Sequence, residues 1–273
     1  MLSLKLMEIF DCKSSLGEGL FVKNKNAAWV DINKKLIYIS EGSNFVKYKT
    51  QSIPSVIFEF NEHYVKFGSD NGLRKFCRKT GKEKELLRAP QNISNEYRSN
   101  DGGYCGNHEL LGFMHRDQPD SNKGYIYKFC TSSWKLLDDT IYIPNTFLEI
   151  EPLKVLISDS LKGQIWLFEL DKDGSLLSKT LWAKLDDGLA PDGGCLVGDY
   201  ILIALWDDKS IGVFDKQGSL LKKLEMPILR PTNCKFDKKS HKLWVTSASE
   251  GLNKKQICLY PLSGNTFIFD LKL

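Results

Sequence analysis

Short runs of Ile, Val, Leu, Phe, Tyr and Trp alternate along the whole chain with clusters of Gly, Asn, Asp, Ser and Lys. Apolar runs of this length, bounded by turn residues, are typical of β-strands, and extended helical periodicity is poor. One type of strand recurs six times, centred on Val30, Phe67, Gly112, Ile157, Ile203 and Val245. Successive centres are 37, 45, 45, 46 and 42 residues apart, which indicates six structural repeats.

Each repeat continues in the same way after its recurring strand. A second strand follows, as in residues 164–170, then a turn such as Asp171–Gly174, and then a third strand such as 175–180. With the strand that precedes the recurring one, each repeat has four strands, and four antiparallel strands in roughly 40–45 residues are typical of a β-propeller. The sequence therefore predicts an all-β, six-bladed β-propeller, with residues 1–273 forming a single domain. The N-terminal segment 3–9 is predicted to supply the strand that closes the last blade.

Four polar residues follow nearly the same spacing as the strands. Glu18, Asn100, Asn145 and Asp192 are separated by 82, 45 and 47 residues, and each precedes a recurring strand by about a dozen residues. They therefore begin the innermost strands of repeats one, three, four and five. Because innermost strands line the channel of a propeller, the four side chains should converge at one mouth. Two carboxylates and two amides there predict a site for one divalent cation, with Ca, Mg or Mn favoured and Zn as the alternative.

The neighbouring positions refine this prediction. The equivalent place is Ser55 or Pro54 in repeat two and Asn233 or Cys234 in repeat six. Ser55 and Asn233 could form hydrogen bonds in the channel but would be weak ligands. Arg98 lies two residues before Asn100, so on a strand both side chains face the same way; Asp101 should face the other way and stabilise a blade junction. The alternative for Arg98 is a salt bridge between blades.

Composition and charge exclude several other classes of protein. The net charge is +4 from 38 basic and 34 acidic residues, without a run of five or six like charges, so neither a nucleic acid nor a membrane is expected as a partner. The seven cysteines include no Cys-x-x-Cys pair, and the first residues lack the apolar core of a signal peptide. Free thiols and a cytoplasmic location are therefore expected. The four histidines share no phase with the repeat, so no catalytic triad is predicted.

The motifs around these positions resemble those of the senescence marker protein/regucalcin/gluconolactonase family, in family order over nearly the whole chain. The matching segments are Leu16-Gly-Glu-Gly19, Trp29-Val-Asp-Ile32, Arg98-Ser-Asn-Asp-Gly102, Gly112-Phe-Met114, Asn145, Ile157-Ser-Asp-Ser160, Pro191-Asp-Gly193, Arg230-Pro-Thr232 and Trp244-Val-Thr-Ser-Ala248. The resemblance implies a six-bladed propeller that binds one divalent cation and hydrolyses sugar lactones or related esters. It also implies a small-molecule lactone or ester as the partner, and we expect a monomer or a weak homodimer.

The same resemblance implies roles for individual residues. Glu18, Asn145 and Asp192 would ligate the metal, and Asp192 would also act as the general base. Asn100 would bind the substrate or a water molecule beside the metal, and Arg98 would hold the substrate. The acidic residue that the family places after Gly-x-Met has no firm equivalent, because His115, Arg116 and Asp117 follow here.

Three functions remain open at this stage. The first is a metal-dependent lactonase. The second is a non-catalytic calcium-binding propeller that acts as a binding or regulatory module, and the third is a hydrolase of phosphotriesters or aromatic esters. Fold alone does not separate them. Arg98 beside Asn100 favours a small, oxygen-rich substrate over a purely structural ion.

Overall fold

The computed structural model describes residues 2–272, and its strands form six four-stranded antiparallel sheets. The innermost strands of successive sheets contact one another around a closed ring. The protein is therefore a six-bladed β-propeller, as the repeat predicted.

The first strand of the chain, β1 (Ser3–Phe10), belongs to the last blade. From the channel outward, blade one consists of β2 (Gly17–Lys23), β3 (Asn26–Asp31), β4 (Leu36–Glu41) and β5 (Asn44–Lys49). Blade two consists of β6 (Pro54–Phe60), β7 (Tyr64–Ser69), β8 (Gly72–Cys77) and β9 (Glu83–Arg88). Blade three consists of β10 (Tyr97–Cys105), β11 (His108–His115), β12 (Tyr125–Cys130) and β13 (Ser133–Asp138).

Blade four consists of β14 (Pro144–Glu151), β15 (Lys154–Asp159), β16 (Gln164–Leu170) and β17 (Leu176–Lys184). Blade five consists of β18 (Ala190–Val197), β19 (Tyr200–Trp206), β20 (Ser210–Phe214) and β21 (Leu220–Glu225). The sixth blade contains β22 (Pro231–Asp237), β23 (Lys242–Ser247), β24 (Thr266–Lys272) and β1, and the short helix α1 (Lys254–Leu259) lies between β23 and β24 in the chain.

The N-terminal strand closes the ring as expected. It runs antiparallel to the C-terminal strand β24, from the pair Ser3–Lys272 to the pair Phe10–Thr266. The last blade therefore joins both ends of the described chain, and backbone hydrogen bonds hold the propeller closed.

The six recurring strands of the sequence are the second strands of the blades. Their central apolar side chains, including Val30, Phe67, Ile157, Ile203 and Val245, have no exposed surface. Each blade packs on both faces against its neighbours, which explains why these strands are continuously apolar rather than alternating. Burial of each such side chain contributes about 1.5–3 kcal/mol to folding.

Outside the blades there is little regular structure. The helix α1 has no buried residue. No helix within residues 2–272 has the length and apolar character needed to cross a membrane. All seven cysteines are free thiols.

Candidate active site

The innermost strand of every blade carries an irregularity close to its start. Regular pairing with the second strand is interrupted between Glu18 and Phe21, Pro54 and Val56, Ser99 and Gly102, Asn145 and Leu148, Pro191 and Gly194, and Pro231 and Asn233. A β-bulge bends its strand and redirects the side chains next to it. The four polar residues predicted from the spacing lie at or beside these bulges.

Two glycines allow the bulged strands to approach one another. Gly19 has a φ of +59°, and a Cβ atom there would clash with the carbonyl oxygen of Ser55 on the next blade. A Cβ atom on Gly193 would overlap the side chain of Asn233. The glycines that follow Glu18 and Asp192 in the sequence are therefore required by the backbone geometry and the close packing of these strands.

Two aspartates hold the segments that lead into the innermost strands. The carboxylate of Asp31, at the end of β3, accepts hydrogen bonds from the N–H groups of Ser15 (2.8 Å) and Leu16 (3.3 Å). Asp159, at the end of β15, accepts the equivalent bonds from Tyr142 (3.0 Å) and Ile143 (3.3 Å). These bonds to ionised carboxylates fix the backbone just before Glu18 and Asn145.

The five residues predicted for the site line one cavity of about 580 Å³ at the channel mouth: Glu18, Arg98, Asn100, Asn145 and Asp192. Arg98 is half-buried, and the other four are between 5 and 9 % exposed. A concave site with a few buried polar groups is the usual form of a small-molecule binding site.

Hydrogen bonding divides these residues into two groups. One side-chain oxygen of Glu18, Asn145 and Asp192 accepts the N–H of the next residue, at 3.2, 3.1 and 3.0 Å respectively. Asn100 differs, because its Oδ1 accepts a hydrogen bond from Arg98 Nη1 at 2.7 Å and its Nδ2 donates to the Pro144 carbonyl at 3.1 Å. Three residues thus share one geometry, and the fourth is paired with the guanidinium.

A strained backbone position links the bulge of Asn145 to that of Asp192. Thr146, which follows Asn145, has a φ of +78°. Its Oγ1 donates to the Asp192 carbonyl oxygen at 2.7 Å, between adjacent blades. A β-branched residue in this region costs on the order of 1–3 kcal/mol, and such strain concentrates at functional sites. The bond ties the bulge that carries Asn145 to the one that carries Asp192.

The two carboxylates are buried, and among residues 2–272 neither forms an ion pair with a cationic side chain. Burial raises the pKa of Glu18 well above its ordinary value, and Asp192 and Asp101 raise it further. Burial also raises the pKa of Asp192 well above its ordinary value, with Asp101 again adding to the effect. Burial lowers the pKa of Arg98, while Glu250 and Glu18 act in the opposite direction. Desolvation thus disfavours the charged form of both acids.

The donor set suits a hard divalent cation. It consists of two carboxylates and an amide oxygen, the ligands that Ca and Mg prefer. Within residues 2–272 no group of three or more His, Cys, Asp and Glu side chains is arranged to hold a metal, so a cation here would depend on the mixed carboxylate and amide set. A dication would also offset the burial and the repulsion that raise both pKa values.

The residues after Gly-x-Met do not line this cavity. His115 is buried, and its Nδ1 accepts the N–H groups of Asp117 (3.3 Å) and Gln118 (3.1 Å). Arg116 donates to the carbonyls of Asn95 and Tyr97 and forms an ion pair with Asp70 at 3.3 Å. His115 and Arg116 therefore have structural roles.

Asp101 lies deeper in the channel, in a second cavity of about 340 Å³. One of its carboxylate oxygens has no hydrogen-bond partner among the described residues. Burial raises the pKa of Asp101 to about 6, although Lys235 and the N–H groups of Gly102 and Thr146 act in the opposite direction. Since Thr146 belongs to the neighbouring blade, Asp101 lies at the junction where the sequence placed it.

The sequence analysis missed several residues of the cavity wall. Leu161, Trp206 and Glu250 line it from the segments at or just after the ends of β15, β19 and β23. In an antiparallel pair the end of the second strand lies beside the start of the innermost one, as the pair Ala190–Trp206 shows. The same phase argument, applied to the ends of the recurring strands, would have found them.

Comparison with known proteins identifies the family of the chain. Residues 16–249 match the family model described as the SMP-30/Gluconolactonase/LRE-like region. No curated protein matches the chain at the level of sequence.

Solved structures show the same fold at low identity. A calcium-binding regucalcin from Agrobacterium tumefaciens superimposes with a TM-score of 0.87 at 21% identity, over 96% of this chain and 93% of that one. A luciferin-regenerating enzyme gives 0.84 at 17% identity, over 99% and 96%. A gluconolactonase from Xanthomonas campestris gives 0.75 at 16% identity, over 98% and 90%.

Proposed function

Because the chain belongs to the SMP-30/gluconolactonase/LRE-like family, we propose that it is a divalent-metal-dependent hydrolase that opens a sugar lactone or a related small ester. The observation that carries the proposal is the division of the channel mouth. Glu18, Asn145 and Asp192 present oxygens in one shared geometry, and the Arg98–Asn100 pair lies beside them in the same cavity.

Glu18, Asn145 and Asp192 would hold the cation. When bound, it would act as a Lewis acid that polarises the carbonyl of the substrate. Two carboxylates balance the charge of a dication, and three ligands leave coordination positions open. A regucalcin with this fold is described as a calcium-binding protein, which supports such a site.

Asp192 is the residue we assign as general base. One of its oxygens is fixed by the N–H of Gly193, and it lies close enough to Glu18 and Asn145 that their side chains affect its pKa. Its second oxygen is therefore the one that would take a proton from the attacking water. A positioned carboxylate in this role typically contributes 10²–10⁴-fold to the rate.

Arg98 and Asn100 would orient the substrate. Within residues 2–272 Arg98 forms no ion pair with a carboxylate, so the salt bridge considered as its alternative role has no support. Nη1 is engaged with Asn100 Oδ1 and with the Ser99 carbonyl. The remaining N–H groups of the guanidinium can bind substrate oxygens, and the planar fork suits a carboxyl or ester group.

A non-catalytic calcium-binding propeller is the second candidate, because the regucalcin neighbour is described as a calcium-binding protein. Arg98 argues against it. A guanidinium cannot ligate a cation, and a half-buried guanidinium beside an ion site is better explained by substrate binding.

The free thiols of all seven cysteines agree with the cytoplasmic location that we propose.

A lactone panel followed by proton release tests the proposal. The protein is stripped with a chelator and assayed with and without Ca, Mg, Mn and Zn, beside an Asp192→Asn control. We expect proton release that requires a divalent metal and is lost in the control. Metal binding without hydrolysis of any lactone or ester would favour the calcium-binding module instead.

A further inference from the structure

The wall of the active-site cavity differs from its floor. The floor is polar, with Glu18, Asn145 and Asp192 buried at the channel mouth. The wall around them includes six apolar side chains: Leu16, Met114, Ile143, Leu161, Leu189 and Trp206. We call these six residues the apolar collar. A ligand whose ester reaches the floor must lie against the collar.

Trp206 is held in place from outside the cavity. The guanidinium of Arg230, which does not line the cavity, lies over the indole ring at 4.8 Å from its centroid. Asp207 binds the same guanidinium through two bonds of 2.5 and 3.2 Å, and the Glu250 carbonyl accepts a further bond from it. A cation packed on an aromatic ring stabilises the orientation of the ring. The indole is therefore a fixed part of the wall.

Leu161 offers apolar surface from the neighbouring blade. It is 38% exposed, although its neighbours on β15 are buried. The exposed leucine and the fixed indole both line the one cavity, and they come from equivalent places at the ends of β15 and β19. Exposed apolar surface that lines a concave site marks a place where a ligand covers it.

The charged groups of the rim are in contact with solvent. Lys162, Lys184, Asp186 and Asp187 are all exposed. The Lys162 ammonium lies over the Tyr142 ring at 4.6 Å, and that of Lys184 donates to the Lys162 carbonyl. Arg98, Asn100, Ser160 and Glu250 could bind some hydroxyl groups of a polyhydroxylated ring. The hydroxyl groups that face the collar would lack hydrogen-bond partners, which costs free energy for each group.

We propose that the substrate is a lactone or cyclic ester that carries an alkyl or aryl substituent, and that the substituent packs against Trp206 and Leu161. This inference rests on the proposed function, of which it narrows the substrate class. Hydrolysis then forms a bond between the water oxygen and the acyl carbon and breaks the bond from that carbon to the ring oxygen. The ring oxygen leaves as a hydroxyl group, and the carboxylic acid that forms releases its proton.

Three δ-lactones of one ring size test the inference: one unsubstituted, one carrying a hexyl group and one carrying hydroxyl groups at the ring carbons. In the metal-loaded protein, kcat/KM should be at least tenfold higher for the hexyl lactone than for either of the others. Leu161→Ala and Trp206→Ala should each lower kcat/KM much more for the hexyl lactone than for the unsubstituted lactone, and so remove most of that advantage.

Two further variants separate the role of the collar from general effects. Trp206→Phe keeps an aromatic surface and should retain most of the preference. Leu221→Ala removes a leucine of the outer strand β21 that is 53% exposed and does not line the cavity, so it should change nothing. Leu161→Ala keeps the test decisive if Trp206→Ala does not fold, because Leu161 lies at the surface of the cavity.

Binding provides a measurement that does not depend on catalysis. The corresponding hexyl-substituted and hydroxylated lactams, which resist hydrolysis, are titrated calorimetrically into the protein. Tighter binding of the hexyl lactam by tenfold or more, lost in Leu161→Ala, would support the inference even if no lactone were turned over. Equal binding, or faster turnover of the hydroxylated lactone, would overturn it and leave the proposed hydrolase intact.

Discussion

Blades two and six carry a bulge at the same place as the other four blades, but the side chains at their bulges have different roles. Ser55 in blade two donates a hydrogen bond from its Oγ to Ser99 Oγ at 2.7 Å, and so joins its blade to blade three. Asn233 in blade six packs against Gly193 and faces the second cavity. Neither residue lines the cavity that Glu18, Asn145 and Asp192 form.

The comparison distinguishes the bulge, which the fold provides in every blade, from the side chain at the bulge, which differs between blades. The bulge belongs to the fold, because it occurs in the innermost strand of every blade. The chemistry belongs to the side chain at the bulge. Where that side chain is a carboxylate or an amide at the channel mouth, it adds an oxygen to the site; where it is Ser55, it holds two blades together. Substitutions at the two kinds of blade should therefore have different effects.

The largest effect is expected for Asp192→Asn. The amide cannot accept the proton of the attacking water, so turnover should fall by about 10²–10⁴-fold even at saturating metal. Stopped-flow or pH-stat measurement of lactone hydrolysis at several metal concentrations checks this. Full recovery of activity at high metal concentration would show that Asp192 acts only as a ligand.

Glu18→Gln should affect metal binding first. Removing one negative ligand should weaken the affinity for Ca or Mg by tenfold or more, and the metal-dependent rise in Tm should shrink accordingly. In the presence of a chelator the same variant should be as stable as the wild type or more stable, because a buried charge beside Asp192 is gone. Calorimetry with and without metal measures both. An unchanged affinity would remove Glu18 from the ligand set.

Arg98→Ala should separate substrate binding from metal binding. We expect a fall of about tenfold or more in kcat/KM, or on the order of 1.4 kcal/mol per tenfold, with metal affinity nearly unchanged. Part of the loss would come from Asn100, whose Oδ1 would no longer be held by the guanidinium. Arg98→Lys is the matched control, because it keeps the charge without the planar fork. A loss of stability with normal turnover per folded molecule would instead indicate a structural role.

The stability of the metal-free protein should fall as the pH rises. The pKa of Glu18, Asp192 and Asp101 is raised in the folded state, to about 6 for Asp101. Between the ordinary carboxyl pKa and the raised values the folded state therefore binds more protons than the unfolded state, and the free energy of unfolding decreases with pH. We expect Tm in chelator to drop by several degrees from pH 4.5 to 7, and metal to reverse much of the drop. A Tm that rises over this range would contradict the assignment.

The smallest effect is expected for Ser55→Ala in blade two. Loss of the hydrogen bond to Ser99 should cost about 1 kcal/mol, or roughly 2–4 °C in Tm for a protein of this size. Metal affinity and turnover should stay at the wild-type level. If metal affinity fell as far as in Glu18→Gln, the distinction between the two kinds of blade would be wrong.

Much of the site could be read from the chain because the fold is a repeat. Residues in the same phase of a repeat occupy equivalent places, so the spacing of Glu18, Asn100, Asn145 and Asp192 matched that of the recurring strands and predicted one location for all four. The wall residues Leu161 and Trp206 were missed, although they also hold equivalent places. They are apolar, and an apolar residue at the end of a strand is read as core unless the cavity beside it is known.

The sequence by itself determined the number of blades, the closing strand and the common location of Glu18, Asn100, Asn145 and Asp192. These properties depend on local strand patterns and on periodicity, which the chain carries directly. Only the tertiary structure decided that Asn100 accepts a hydrogen bond from Arg98, while Glu18, Asn145 and Asp192 each accept one from the backbone N–H of the next residue. It also decided that Arg98 has no carboxylate partner among the described residues. It also decided that His115 and Arg116 are structural and that Trp206 faces the cavity. Hydrogen bonds and cavity walls depend on which side chains from distant repeats meet, and the bulges that direct those side chains form only when the strands of each blade pair.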